Sequence, residues 1–177
     1  YAVARLGVPV RLMAFVGRDA EGDQAIRQLE STGVDTRAMV RADSPTPCTV
    51  VLVNSAGERM ILHRPGASLD AFPEPVEFAP GLVEGCSHFH LANAYALPNM
   101  RRHGAECLRR ARAAGLTTSV DTGWDGRGEW MQVLGPCLPW TDLLFVNGEE
   151  AHMLTGEAAP AAAARVFRDH GARSVAV

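Results

Sequence analysis

The sequence predicts an α/β protein organised around a mostly parallel β-sheet, with one small β-hairpin standing apart from it. Two observations carry this. Apolar runs of strand length recur at residues 8–16, 87–91, 116–120, 143–146 and 174–177, with segments of helical spacing among them, the alternation that parallel βαβ units require. Residues 36–66 break that rhythm with two apolar runs joined by a short connection containing Gly57, the pattern of a hairpin.

Residues 1–6 place alanine and leucine at helical spacing, and Gly7 follows where a helix ends in the left-handed conformation that glycine adopts most easily. Residues 8–16, β-branched and aromatic and closed by Gly17, read as one core strand of the main sheet. Ala25, Ile26 and Leu29 form one stripe of a helix over 20–31, terminated by Gly33. Asp19, Glu21, Asp23 and Glu30 mimic the offsets of a calcium loop, but Gln24 stands where such a loop needs glycine. These acids are better read as complements to the helix dipole.

In the hairpin, Thr49 and Val51 lie two apart and therefore share a face. Arg64, at its end, is either a solvated strand terminus or a grip for a phosphate or carboxylate. A proline-rich bridge over 70–80 leads into the strand at 87–91, then a helix over 98–114 with Pro98 near its start and Gly115 just past its end. His88 and His90 share a strand face and are candidates for a metal pair or for ordinary packing and hydrogen bonding, with no third ligand nearby. Asn93 and Asp121 each follow the carboxyl end of a strand, where open α/β sheets bind ligands; a loop carboxylate accepting backbone hydrogen bonds is the alternative for Asp121. Residues 160–170 form an alanine-rich helix closed by Gly171, and 174–177 begin another strand.

The most informative stretch is Asp142-Leu-Leu-Phe-Val-Asn-Gly-Glu-Glu-Ala-His-Met-Leu-Thr-Gly156. Its apolar run gives way at Asn147 and Gly148 to helical spacing that stops at Gly156, so it reads strand, tight loop, helix. Asn147 and Glu150, three apart, fit an N-cap with its reciprocal glutamate, although that motif favours serine or threonine at the cap. Their place after a strand equally suits a ligand site.

Composition narrows the function classes. The 177 residues suffice for one domain with a sizeable core, and 47% hydrophobic with 21% charged residues is ordinary for a soluble globular protein. A net charge of −3 argues against a nucleic-acid footprint. No apolar run reaches the length of a membrane span, and no signal-peptide pattern opens the chain, which points to a cytoplasmic protein. Cys48, Cys86, Cys107 and Cys137 form no Cys-x-x-Cys pair, so buried free thiols are expected rather than structural zinc.

Asp142, Asn147, Glu150, Leu154, Thr155 and Gly156 together resemble the D-x-x-x-x-N-x-x-E-x-x-x-L-T-G segment of the ribokinase-like (PfkB) carbohydrate kinases. Arg5-Leu6-Gly7, Val16-Gly17-Arg18-Asp19, Gly22 and Gly33-Val34-Asp35-Thr36 resemble that family's early pattern. Thr46, Asn54, Gly57-Glu58-Arg59 and Gly66-Ala67 resemble its lid. The resemblance covers nearly the whole chain. It implies a three-layer α/β/α sandwich with a β lid at about 36–66, residues 1–177 being part of one kinase domain. It implies transfer of a phosphoryl group from ATP, with Mg2+, to a hydroxyl of a small-molecule sugar. Asn147 and Asp121 would serve the phosphates, Glu150 the metal through water, and Thr49, Val51, Arg64 and Asn93 the sugar. A second copy pairing through the lid is the expected protein partner. The family's Gly-Gly-x-x-x-Asn and Gly-Ala-Gly-Asp segments, the latter carrying the catalytic base, would fall before Tyr1 and after Val177. The expectation is therefore that the 177 residues by themselves are incomplete and inactive. A nucleoside kinase of the same fold, or a non-catalytic sugar-binding α/β protein, are the alternatives.

Overall fold

A computed structural model describes residues 1–177. The chain divides into two compact units, residues 1–71 and 72–177.

The first unit opens with α1 (Ala2–Arg5), β1 (Val10–Arg11), β2 (Phe15–Gly17), α2 (Ala20–Glu30), β3 (Val34–Asp35) and β4 (Val40–Ala42). Asp19 caps α2 by accepting the Gly22 N–H at 2.9 Å, which satisfies a backbone donor that the first helical turn leaves free. The expected strand over 8–16 is instead two short strands. Val10 pairs in parallel with Val34 and Phe15 with Val40, and neither strand joins the larger sheet of the chain. The continuous apolar run concealed a break at 12–14, and its partners, only two and three residues long, are too short to show a period. Val16, Val34, Ala67 and Ala71 form this unit's buried apolar centre.

The hairpin holds as expected. β5 (Cys48–Val53) pairs antiparallel with β6 (Arg59–Arg64), from Cys48↔Arg64 to Val53↔Arg59. Asn54 Oδ1 accepts the N–H groups of Ala56 and Glu58 at 3.0 Å, and Gly57 takes φ 81°, the left-handed position the turn requires. Every residue of both strands is exposed.

The second unit contains α3 (Pro80–Val83), β7 (His88–Leu91), α4 (Met100–Ala113), β8 (Thr117–Asp121), α5 (Met131–Leu134), β9 (Leu143–Phe145), α6 (Gly148–Thr155), α7 (Pro160–Asp169) and β10 (Ser174–Ala176). Its four strands form one parallel sheet in the order β10-β9-β8-β7. Phe89, Leu91, Val120 and Leu144 are buried, as are Leu108 and Ala111 on α4. Each large side chain so removed from water contributes about 1.5–3 kcal/mol. Gly104 permits the close approach of α4 to β7, because a Cβ there would stand 3.3 Å from Leu91 Cδ2. Asp142 Oδ2 accepts the Thr118 N–H at 2.9 Å and so fixes the entry to β9. Of the four cysteines only Cys107 and Cys137 are buried, where burial pushes the Cys137 thiol up to about 12; Cys48 and Cys86 are exposed. The expectation of four buried thiols therefore fails for two of them, Cys48 because both faces of the hairpin meet solvent.

Candidate functional site

β7, β8 and β9 are adjacent and parallel, so their carboxyl ends open at the same edge of the sheet. Asn93 follows β7, Asp121 closes β8, and Asn147 and Glu150 begin the helix after β9. Hydrogen bonds knit these positions together. The Ala94 N–H donates to the Asp121 carbonyl at 2.9 Å, and the Thr122 hydroxyl donates to Glu150 Oε2 at 2.6 Å. Asn93 takes φ 54°, and its side chain lies so close over Gly123 that a Cβ on that glycine would meet it at 2.6 Å.

The Asn147–Glu150 pair forms a complete capping box. Asn147 Oδ1 accepts the Glu150 N–H at 2.9 Å, and Glu150 Oε2 accepts the Asn147 N–H at 3.3 Å. The two readings of this pair are therefore compatible. The box occupies Oε2, whereas no buried side-chain oxygen in the chain lacks a partner, so Oε1, which accepts no hydrogen bond, keeps some contact with solvent although Glu150 as a whole is buried. The half-buried Asp121 carboxylate likewise accepts no hydrogen bond from the chain. Two carboxylates with free oxygens at one sheet edge are hard, oxygen-donor chemistry suited to a hydrated Mg2+, which keeps several waters and takes one or two protein carboxylates.

Asp121 also acts on His90. Burial lowers the pKa of that imidazole, and the Asp121 carboxylate opposes the shift. His88 and His90 are not arranged as a metal pair. Ser119 Oγ lies 2.7 Å from both His88 Nε2 and His90 Nδ1, and Thr117 Oγ1 lies 2.7 Å from His88 Nδ1. Asp19 and Asp23 are similarly committed, to the α2 cap with Thr46 and to Arg41.

Of the residues singled out from sequence, Asn93, Asp121, Asn147 and Glu150 are brought to one edge. Thr49, Val51 and Arg64 belong to the hairpin of the other unit. There Thr49 and Val51 share a face, with Thr49 Oγ1 2.8 Å from His63 Nδ1, and Arg64 Nη2 donates to the Thr46 carbonyl at 3.1 Å. Thr122 was missed, since nothing in its local pattern shows that its hydroxyl meets a glutamate so far along the chain. Arg101 and Asp125, which meet through a buried ion pair, escaped for the same reason.

A parallel α/β sheet with its polar residues gathered at the strand carboxyl ends is the arrangement in which α/β enzymes place small-ligand sites. The chain matches the pfkB family carbohydrate kinase profile over residues 1–177 and belongs to that family. It is 30% identical over 152 residues to a nucleoside kinase of Methanothermobacter thermautotrophicus, covering 83% of this chain and 46% of that protein. It is 31% identical over 150 residues to an ATP-dependent ribose-1-phosphate kinase of Halopiger xanaduensis, covering 84% of this chain and 47% of that protein. Among solved structures, fructokinase with bound ATP from Xylella fastidiosa superposes with a TM-score of 0.80 at 29% identity, over 99% of this chain and 57% of that one. The chain thus spans about half the length of the curated relatives it matches.

Proposed function

We propose that this chain belongs to an ATP-dependent kinase that phosphorylates a sugar hydroxyl. Its carrying observation is the cluster of Asn93, Asp121, Asn147 and Glu150 at one sheet edge, within a chain matching a carbohydrate kinase family along its full length. Asn147 and Asp121 are assigned to the phosphates, Glu150 to Mg2+ through water by way of Oε1, and Asn93 to the acceptor. The metal neutralises charge on the transferred phosphoryl group, and the protein contributes positioning and a fixed polar environment. Thr49, Val51 and Arg64 are assigned to the substrate on sequence resemblance alone. The same resemblance supports residues 1–177 as part of one kinase domain in a three-layer sandwich, in a cytoplasmic setting. No helix of the chain is long and apolar enough to cross a membrane.

The hairpin is assigned as a lid that pairs with a second copy. Val50, Val51, Leu52, Met60, Ile61 and Leu62 are all exposed on its two faces, and a lone two-stranded ribbon is marginal in water.

A nucleoside acceptor is the second reading, favoured by the 30% identity to a nucleoside kinase. The test is acceptor-dependent ADP release by the enzyme that carries residues 1–177, run against free sugars, sugar phosphates and nucleosides. Release with a sugar or sugar phosphate supports the first reading and release with nucleosides alone the second. No release with any acceptor overturns both.

A further inference from the structure

The loop after β8 is tied to the segment after β7 by a buried ion pair that the proposed chemistry does not use. The Arg101 side chain, in the first turn of α4, is 5% exposed and that of Asp125 is fully buried. Arg101 Nη1 donates to Asp125 Oδ1 at 2.9 Å and to the Tyr95 carbonyl at 3.2 Å, while Nε and Nη2 both reach Glu129. Burial disfavours charge on Arg101, but the hydrogen bonds to Asp125 and Glu129 outweigh it and hold the pKa above its ordinary value. Burial likewise opposes charge on Asp125, and Arg101 with two backbone N–H groups overcomes it.

Asp125 in turn accepts the N–H of Arg127 at 3.0 Å and of Trp130 at 2.7 Å. Trp130 takes φ 35°, a region that favours glycine, and is held there from both sides, since the Tyr95 hydroxyl donates to its carbonyl at 3.1 Å. Tyr95, Trp130 and Trp124 stack edge to face, with ring centroids 5.9 Å and 5.0 Å apart. The network ends at Asn93. Its Oδ1 accepts the Tyr95 N–H at 3.3 Å, and its side chain rests on Gly123 at the start of the tied loop.

We infer that Arg101 and Asp125 are positioning residues for Asn93, setting it against the acceptor by locking the Tyr95 turn to the 122–130 loop. This rests on the kinase reading above. Asp121 is held by its ladder position opposite Phe145 and by the Ala94 N–H on its carbonyl, backbone bonds that neither Arg101 nor Asp125 makes, so the lock acts on the acceptor side rather than on the phosphates. A ligand-contacting side chain in the left-handed region outside the sheet has no ladder to fix it, and displacements near 1 Å cost about a hundredfold in rate.

The test uses Arg101→Lys, which keeps the charge but loses the planar fork that reaches three acceptors, and Tyr95→Phe, which removes only the hydroxyl bond to Trp130. Expected in the active enzyme is a rise in acceptor KM of about tenfold for Tyr95→Phe and up to about a hundredfold for Arg101→Lys, with ATP KM within about twofold. The near-ultraviolet circular dichroism of the 177-residue chain, to which Trp124, Trp130 and Tyr95 contribute two of the three tryptophans and one of the two tyrosines, should weaken while the far-ultraviolet spectrum is kept. Arg101 and Asp125 are overturned as positioning residues if Arg101→Lys leaves acceptor KM unchanged, or if acceptor and ATP KM rise together. Should Arg101→Lys fail to fold, Asp125→Asn, which keeps one acceptor oxygen but removes the charge facing Arg101, decides by the same readouts. Absence of turnover in the unsubstituted enzyme overturns the kinase reading instead, and the near-ultraviolet spectrum still decides whether Arg101 sets the loop.

Discussion

Thr122 donates its hydroxyl to Glu150 Oε2 at 2.6 Å, within a buried contact that joins the ends of adjacent strands β8 and β9. Oε2 therefore holds the structure together, and Oε1 is the oxygen available for the proposed contact to metal water. Glu150→Gln separates the two roles, because an amide oxygen still completes a capping box but carries no charge for metal water. Fold stability should change by less than about 1 kcal/mol. The Mg2+ concentration for half-maximal activity should rise, and turnover should fall on the order of 10–100-fold. Thermal denaturation beside a Mg2+ titration of ADP release checks both. An unaltered Mg2+ dependence would leave Glu150 with the cap alone.

Asn147 yields a complementary prediction. Asn147→Ala removes the acceptor for the Glu150 N–H and should cost about 1 kcal/mol. Asn147→Asp caps equally well and should leave the denaturation midpoint nearly unchanged. Its added negative charge, however, repels phosphate, so activity should drop while stability does not. If the aspartate variant keeps full activity, the residue is a helix cap and nothing more.

The parts of this fold legible in the sequence are those where one element is complete within its own segment. From residue 87 onward, the helices ending at Gly115 and Gly171, each with positive φ, are followed by strands whose apolar runs stand alone, and Gly156, also with positive φ, separates α6 from α7. Residues 8–16 misled because the run stays apolar across 12–14, where the backbone crosses between two separate ladders: Leu12 N–H bonds to the Asp35 carbonyl and the Ala14 carbonyl accepts from Val40. The candidate site divides in the same way. Asn147 and Glu150 are three residues apart and announce themselves. Thr122 with Glu150, and Arg101 with Asp125, meet only through tertiary packing, and no local period records a contact between residues 24 or 28 positions apart.

Gly22 inverts an ordinary rule. Glycine to alanine inside a helix usually stabilises by about 1 kcal/mol. Here a Cβ would stand 2.4 Å from the Gly17 carbonyl oxygen and 2.8 Å from Thr46 Oγ1, so backbone must move to admit it. Gly22→Ala should therefore destabilise, by about 1–3 kcal/mol, as overpacked cores do. Urea denaturation of the variant beside the unsubstituted chain gives the sign directly, and a stabilised variant would show that α2 does not lie this close to Gly17.

The same corner carries an acid-sensitive contact. Asp19 accepts the Thr46 hydroxyl at 2.5 Å, the Thr46 N–H at 2.7 Å and the Gly22 N–H at 2.9 Å. Foremost the Thr46 hydroxyl, then the two backbone donors, hold its pKa at about 2 against an ordinary 3.8. A carboxylate depressed on folding stabilises fully above its unfolded value and loses that contribution as pH falls through the folded one. The window is therefore from about 4 down to about 2. Asp19→Asn retains an acceptor for the Gly22 N–H but not the charge, so its deficit relative to the unsubstituted chain should be constant from pH 7 to about 5 and shrink steadily below 4. Other depressed carboxylates, Asp35 and Glu106 among them, titrate in both proteins and cancel in the difference. Urea midpoints across that range supply the measurement. A deficit that stays the same down to pH 2 would mean that the Asp19 charge contributes nothing to holding Thr46, two residues before the hairpin, against the start of α2.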